Sequence, residues 1–91
     1  EERKVAPRIY EELSKVAEAI ETESPALSKI MQLESKSRAA LTAEGFRVDY
    51  FSVVSINSLR KPSISESDLV VMCSARLGQT RLIDNKRCTR I

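Results

Sequence analysis

The chain reads as an α+β protein, two helices packed on one face of a small three-stranded antiparallel sheet. Three observations predict it. An apolar stripe of helical spacing opens the sequence, the period changes to β-branched and aromatic residues after Gly45, and the near-continuous apolar run Leu69-Val70-Val71-Met72-Cys73 precedes a glycine turn. Helices first and strands afterwards segregate the two kinds of element. The sheet needs the helices, because two or three strands alone are marginal in water. At 91 residues the chain has room for one small domain, expected to cover 1–91.

The first helix rests on Val5, Ile9, Leu13, Val16 and Ile20, whose steps of three and four residues place them on one face. Glu11, Glu12, Ser14, Lys15 and Glu18 fall between them and are expected in solvent. Pro7 lies in the first two turns, where a missing N–H costs little, and Glu1 and Glu2 sit near the positive end of the helix dipole. Thr22-Glu23-Ser24-Pro25 is a break, with Ser24 the expected N-cap and Pro25 the first position of a second helix that runs to about Glu44. The apolar face of that helix is Leu27, Ile30, Met31, Leu33, Ala40 and Leu41. Its polar middle, Glu34 to Arg38, predicts contact with the core at both ends only. Gly45 supplies the left-handed residue that ends it.

Phe46–Val54 is the first strand, with Val48, Tyr50 and Val54 expected on one face. Residues 57–66 carry Asn, Ser and Pro and read as a loop with a turn. Leu69–Leu77 is the most apolar strand and belongs in the centre of the sheet. Gly78-Gln79 then turns the chain into a short strand, Arg81–Ile83, that closes on Asp84-Asn85. The basic tail from Lys86 to Arg90 is expected in solvent.

Composition excludes several functions. A net charge of +2, with acids interrupting the bases through most of the chain, is too small a footprint for nucleic acid. No apolar run approaches the ~20 residues of a membrane span, and the start Glu1-Glu2-Arg3-Lys4 is unlike a secretory signal. A cytoplasmic location is the expectation. With no histidine, Cys73 and Cys88 cannot complete a tetrahedral zinc site without borrowed carboxylates, and Cys73 reads as a small core hydrophobe. No metal site is expected.

Nor does an active site emerge. Ser52, Ser55 and Ser74 have no histidine to activate them, and two glycines cannot build a phosphate-cradling loop. Asp49 and Asp84-Asn85 fall at strand ends, where such residues more often satisfy turn backbone than transfer protons. Arg76 and Arg81 flank the Gly78 turn and should project close together, to meet phosphates or an acidic surface, or else to pair within the domain with Asp68 or Asp84.

The run Ala75-Arg76-Leu77-Gly78-Gln79-Thr80-Arg81-Leu82-Ile83-Asp84-Asn85 resembles the C-terminal signature A-R-x-G-x-T-R-L-I-D-N of the pantothenate synthetases, or pantoate–β-alanine ligases. The likeness extends through Phe46–Tyr50 and Arg3–Tyr10 and so covers nearly the whole chain. The resemblance implies an ATP-dependent parent enzyme that condenses pantoate with β-alanine through pantoyl adenylate, with magnesium accompanying the ATP. In that family a Rossmann-like N-terminal domain carries a His-x-Gly-His loop and a Ser-Ser-Arg-Asn stretch, and neither occurs here. The expectation is a C-terminal lid domain without its catalytic domain, inactive alone, binding no cofactor alone, with no catalytic residue of its own. Arg76, Arg81, Asp84 and Asn85 are its candidate contacts to the ATP site or to the other domain. Family dimer contacts lie mainly in that other domain, so a monomer is expected. The alternative is a small α+β protein-interaction module with no catalytic role.

Overall fold

A computed structural model describes the backbone of residues 2–23, 25–62 and 66–90, with side chains from residue 7 onward. Two helices, α1 (Glu2–Glu23) and α2 (Leu27–Ala43), precede three strands, β1 (Arg47–Ser55), β2 (Asp68–Leu77) and β3 (Thr80–Thr89). The strands form one antiparallel sheet in the order β1-β2-β3, with β2 central as its apolar run predicts. Both helices lie on the same face. α1 crosses β3 and β2, and α2 covers β1.

Ile9, Leu13, Val16, Ala17 and Ile20 of α1 are all essentially inaccessible and pack on Leu69, Val71, Cys73 and Ala75 of β2. Glu1, the side chains of Glu2 and Val5, and the Ser24 cap lie outside the described residues. Glu12, expected in solvent, is instead only 3% exposed. It stays charged there because Arg8 and Lys15 donate to it, the latter at 3.1 Å, while Arg8 also clasps Glu44 beyond the end of α2. Burial pushes the Glu12 carboxyl upward, but the donors outweigh it and leave the pKa below the ordinary carboxylate value.

α2 begins two residues later than expected. Its N-cap is Ala26, which makes no side-chain cap bond; Ala26 carbonyl accepts from Lys29 and Ile30 amides instead. Pro25 is therefore a buried residue before the helix, not its first position. Only Ile30, Ser37 and Leu41 of this helix are fully buried, while Leu27 and Met31 of the expected stripe are exposed. The other end follows expectation: Phe46 N–H donates to Leu41 C=O and Gly45 N–H to Thr42 C=O, closing a Schellman motif with Gly45 at φ +97°.

The strands depart from the sequence reading in two places. β1 carries a bulge between Val48 and Tyr50. Val48 packs on the core beside Phe51 and Val53, whereas Tyr50 and Val54 point to the opposite face, so the expected set Val48, Tyr50 and Val54 is split. β3 runs ten residues to Thr89, far beyond Ile83. Lys86 to Thr89 are strand, and Arg90, expected in solvent, is buried: its amide donates to Ser67 C=O at 2.7 Å and its guanidinium to Glu66 C=O at 2.8 Å. The turn into β3 is the two-residue Gly78-Gln79 hairpin between paired Leu77 and Thr80, with Gly78 at φ +61° as a II′-type turn demands.

Candidate functional site

With both helices on one side, the other face of the sheet has no covering layer. In antiparallel pairs, residues directly opposite project to the same face. The register pairs Arg47 with Arg76 and Arg76 with Arg81, so three arginines form one row across all three strands on the uncovered face, beside the Gly78 hairpin. Neighbouring strands lie about 4.8 Å apart, so the row is about 10 Å long. Like charges opposite one another are unfavourable without a counter-charge.

One counter-charge is present. The bulge places Asp49 where its carboxylate accepts from Ser74 Oγ at 3.1 Å and faces Arg81 Nε at 3.7 Å. Ser74 Oγ also accepts from Arg81 Nε at 3.4 Å. Ser74 is fully buried beneath this pair, although it lies on the face without helices. The network fixes the direction of Arg81 and leaves its guanidinium half-exposed. Among the described residues, one carboxylate thus stands against three guanidiniums. The arrangement attracts an anion and offers planar donors to it; it supplies no nucleophile and no general base.

Arg76 and Arg81 meet as predicted, but the intramolecular partner of Arg81 is Asp49, not Asp68 or Asp84. Asp84 and Asn85 are not at a strand end. Both lie mid-β3, opposite Cys73 and Met72 respectively, so Asp84 projects toward the helices and Asn85 toward the open face. The Asp84 carboxylate accepts from the Asn85 amide at 2.8 Å. Asn85 lies four residues along the strand from Arg81, about 13 Å away, and lines a shallow depression with Val70, Met72 and Arg87. The four sequence candidates therefore divide into Arg76 and Arg81 at the row, Asn85 farther down the same face, and Asp84 behind the sheet.

Arg47 was missed, since nothing near it in sequence links it to Arg76; the link is strand register. Asp49, expected at a strand end, lies inside β1 at the bulge, and its pairing with Arg81 was hidden because that bulge is a tertiary feature. Ser52, Ser55 and Ser74 act in no constellation a nucleophile needs. Ser55, buried, accepts from the Asn57 and Ser58 amides at 3.2 and 3.4 Å and donates to Glu66, which fixes the loop. Cys73 and Cys88 are free and buried, and burial pushes both thiols up to about 11, which leaves them protonated and inert. Among the described residues no three of His, Cys, Asp and Glu converge as metal ligands. No helix is long and apolar enough to cross a membrane.

A family model described as Pantoate-beta-alanine ligase matches residues 1–87. Among curated proteins, the chain is 42% identical over 85 residues to a pantothenate synthetase of Laribacter hongkongensis, covering 92% of this chain and 29% of that one. A pantothenate synthetase of Pseudomonas fluorescens is 40% identical over 85 residues, covering 93% and 29%. Among solved structures, the pantothenate synthetase of Thermus thermophilus superposes with a TM-score of 0.73 at 27% identity, over 92% of this chain and 29% of that one. The chain thus spans about 30% of the length of the relatives it matches.

Proposed function

The chain belongs to the pantoate–β-alanine ligase family, and from that premise we propose that residues 1–91 are the C-terminal domain of a cytoplasmic pantothenate synthetase, closing as a lid over its ATP site. One observation supports the lid reading above the others. The row Arg47–Arg76–Arg81 places permanent cations on the one sheet face that no helix covers, and a single carboxylate answers them.

In the proposed reaction the pantoate carboxylate attacks the α-phosphate of ATP, releasing pyrophosphate and forming pantoyl adenylate. The amine of β-alanine then attacks the acyl carbon, and AMP leaves. This domain contributes neither nucleophile nor proton-transfer group. Its work is to favour the closed state through Arg76 and Arg81 against phosphate oxygens, with Asp49 and Ser74 holding Arg81 in place, and to keep water from the mixed anhydride. Asn85 is proposed as a contact to the catalytic domain on the same face; Asp84, on the helix side, is dropped from the phosphate set. Magnesium would travel with the nucleotide, since the described residues do not converge as ligands for it. The isolated chain is proposed to be monomeric, without activity and without tight ATP binding.

The test is Arg81→Glu in the full-length enzyme. The expected outcome is a raised KM for ATP or slower pyrophosphate release. The isolated chain should lose no more than about 1 kcal/mol, as for other exposed pairs. Normal kinetics together with a badly destabilised chain would make Arg81 a purely structural partner of Asp49 and overturn the lid reading.

A further inference from the structure

The sheet has two free edges, along β1 and β3, and they are protected differently. The β3 edge is studded with charge: Arg81, Asp84, Lys86 and Arg87 alternate along it with only Leu82, Ile83 and Asn85 between. Charged side chains of this kind discourage edge-to-edge pairing. β1 lacks them. Its stretch Tyr50-Phe51-Ser52-Val53-Val54 is uncharged, aromatic and β-branched, the composition of a self-pairing strand.

What β1 has instead is occupation of its edge by the chain itself. At the C-terminal end, Ser55 N–H donates to Arg60 C=O at 2.8 Å, and Ser55 C=O accepts from Leu59 N–H at 2.8 Å. In the middle, Val53 N–H donates to the Glu34 carboxylate at 2.7 Å. At the N-terminal end, the Arg38 guanidinium donates to Val48 C=O at 3.4 Å. Glu34 and Arg38 are one helical turn apart, so a single face of α2 presents an acceptor and a donor to the strand. The carboxylate is expensive to keep there. Burial raises the Glu34 pKa, and the bond from Val53 opposes that shift without cancelling it.

We propose that Glu34 and Arg38 seal the edge of β1, and that the strand they exclude is β1 of a second copy of this chain. The sequence of β1 argues for that occupant. Antiparallel pairing of two copies centred on Ser52 sets Tyr50 opposite Val54 and Phe51 opposite Val53, and brings no two like charges into opposition. A half-buried carboxylate is therefore retained for the pairing it prevents. The inference is independent of the lid reading and holds whatever the domain closes over.

Two substitutions separate the acceptor from the charge. Glu34→Met keeps the length of the side chain in the apolar crevice beside Leu27, Ile30, Met31 and Val53 and removes the acceptor. Glu34→Gln removes the charge and keeps a carbonyl for Val53 N–H. In the full chain, Glu34→Met dilute enough to be monomeric should exchange the Val53 amide about ten- to a hundredfold faster, and at higher concentration it should sediment as a dimer with that amide protected again by the partner strand. Glu34→Gln should stay monomeric with Val53 protected. Adding Ser52→Lys to Glu34→Met should restore the monomer by opposing two cations at the centre of the pair. A monomeric Glu34→Met with Val53 still protected, equal association of the Met and Gln variants, or failure of Ser52→Lys to reverse the association would each overturn the proposal.

Discussion

The two faces of this sheet are made by alternate residues of the same three strands, and they bury their side chains by different means. On the helix side, Leu69, Val71, Cys73 and Ala75 of β2 meet Phe51 and Val53 of β1 under a layer of α1 and α2 apolar groups. On the other side, Val70 and Ser74 of β2 are buried as well, but not by helices: Ser74 lies beneath Asp49 and Arg81, and Val70 borders the loop residues Ile56 and Leu59. Burial on the first face is apolar packing. On the second it is a polar network with cations at its rim, and Ile83 there is 58% exposed. A face closed by packing is bound to its helices, whereas one closed by charge remains available to a partner. That difference assigns the first face to stability and the second to the proposed lid role.

The strongest way to break the comparison is on the helix side. Leu13→Ala should cost about 2–5 kcal/mol in denaturant melts, because Leu13 is fully inaccessible at the centre of the α1 stripe. A loss under about 1 kcal/mol would mean that α1 does not hold the sheet as described.

A pH test sharpens the same face at its border. Glu12 and Glu44 both have pKa values held below the ordinary carboxylate value, against the cost of burial for Glu12 and chiefly by Arg8 for Glu44. A depressed carboxyl contributes stability above its unfolded pKa and loses it as pH falls through the folded one. Melting temperature should therefore decline below about pH 4.5 more steeply in the parent than in Glu12→Gln. Glu34, with its pKa raised by burial, contributes in the opposite sense, favouring the native state at low pH. Parallel pH profiles for parent and Glu12→Gln would show that the Arg8 clasp carries no weight.

On the open face the expected effects are smaller. Ser74→Ala removes one hydrogen bond to Asp49 and should cost about 1 kcal/mol, while loosening Arg81 enough to raise KM for ATP in the full-length enzyme. Ile83→Ser should change stability by no more than about 0.5 kcal/mol. A large loss at Ile83 would mean that the open face is closed by something intramolecular.

Local pattern carried most of the architecture. The α1 stripe, the central β2 run and the Gly45 and Gly78 ends are all short-range signals, and each appears where the sequence puts it. The end of β3 was hidden for a physical reason: an edge strand facing water on one side has few apolar residues to mark its period, so Asp84-Asn85 read as the strand's end and the bases from Lys86 to Arg90 as a tail. The α2 polar middle looked like a lapse in an amphipathic helix, yet Glu34 and Arg38 are spent on the β1 edge. Two of the three arginines of the row were legible at the hairpin, where Arg76 and Arg81 are neighbours through a turn. Arg47 was not, because strand register joins residues that no local window contains.

The bulge at Asp49 can also be understood as a change of reading frame. A strand is read in two alternating phases, inward and outward, and one extra residue switches the phase for everything downstream. Upstream of Asp49 the phase serves Val48; downstream it serves Phe51, Val53 and Ser55. Deleting Asp49 alone would leave Val48 and Phe51 two residues apart, on one face of a regular, unbulged strand, and would cost only the Asp49 contacts to Ser74 and Arg81. Elsewhere in this strand, insertions and deletions should be tolerated in twos before ones, whereas at Asp49 a single deletion should be tolerated, a difference that no substitution scan of Asp49 would reveal.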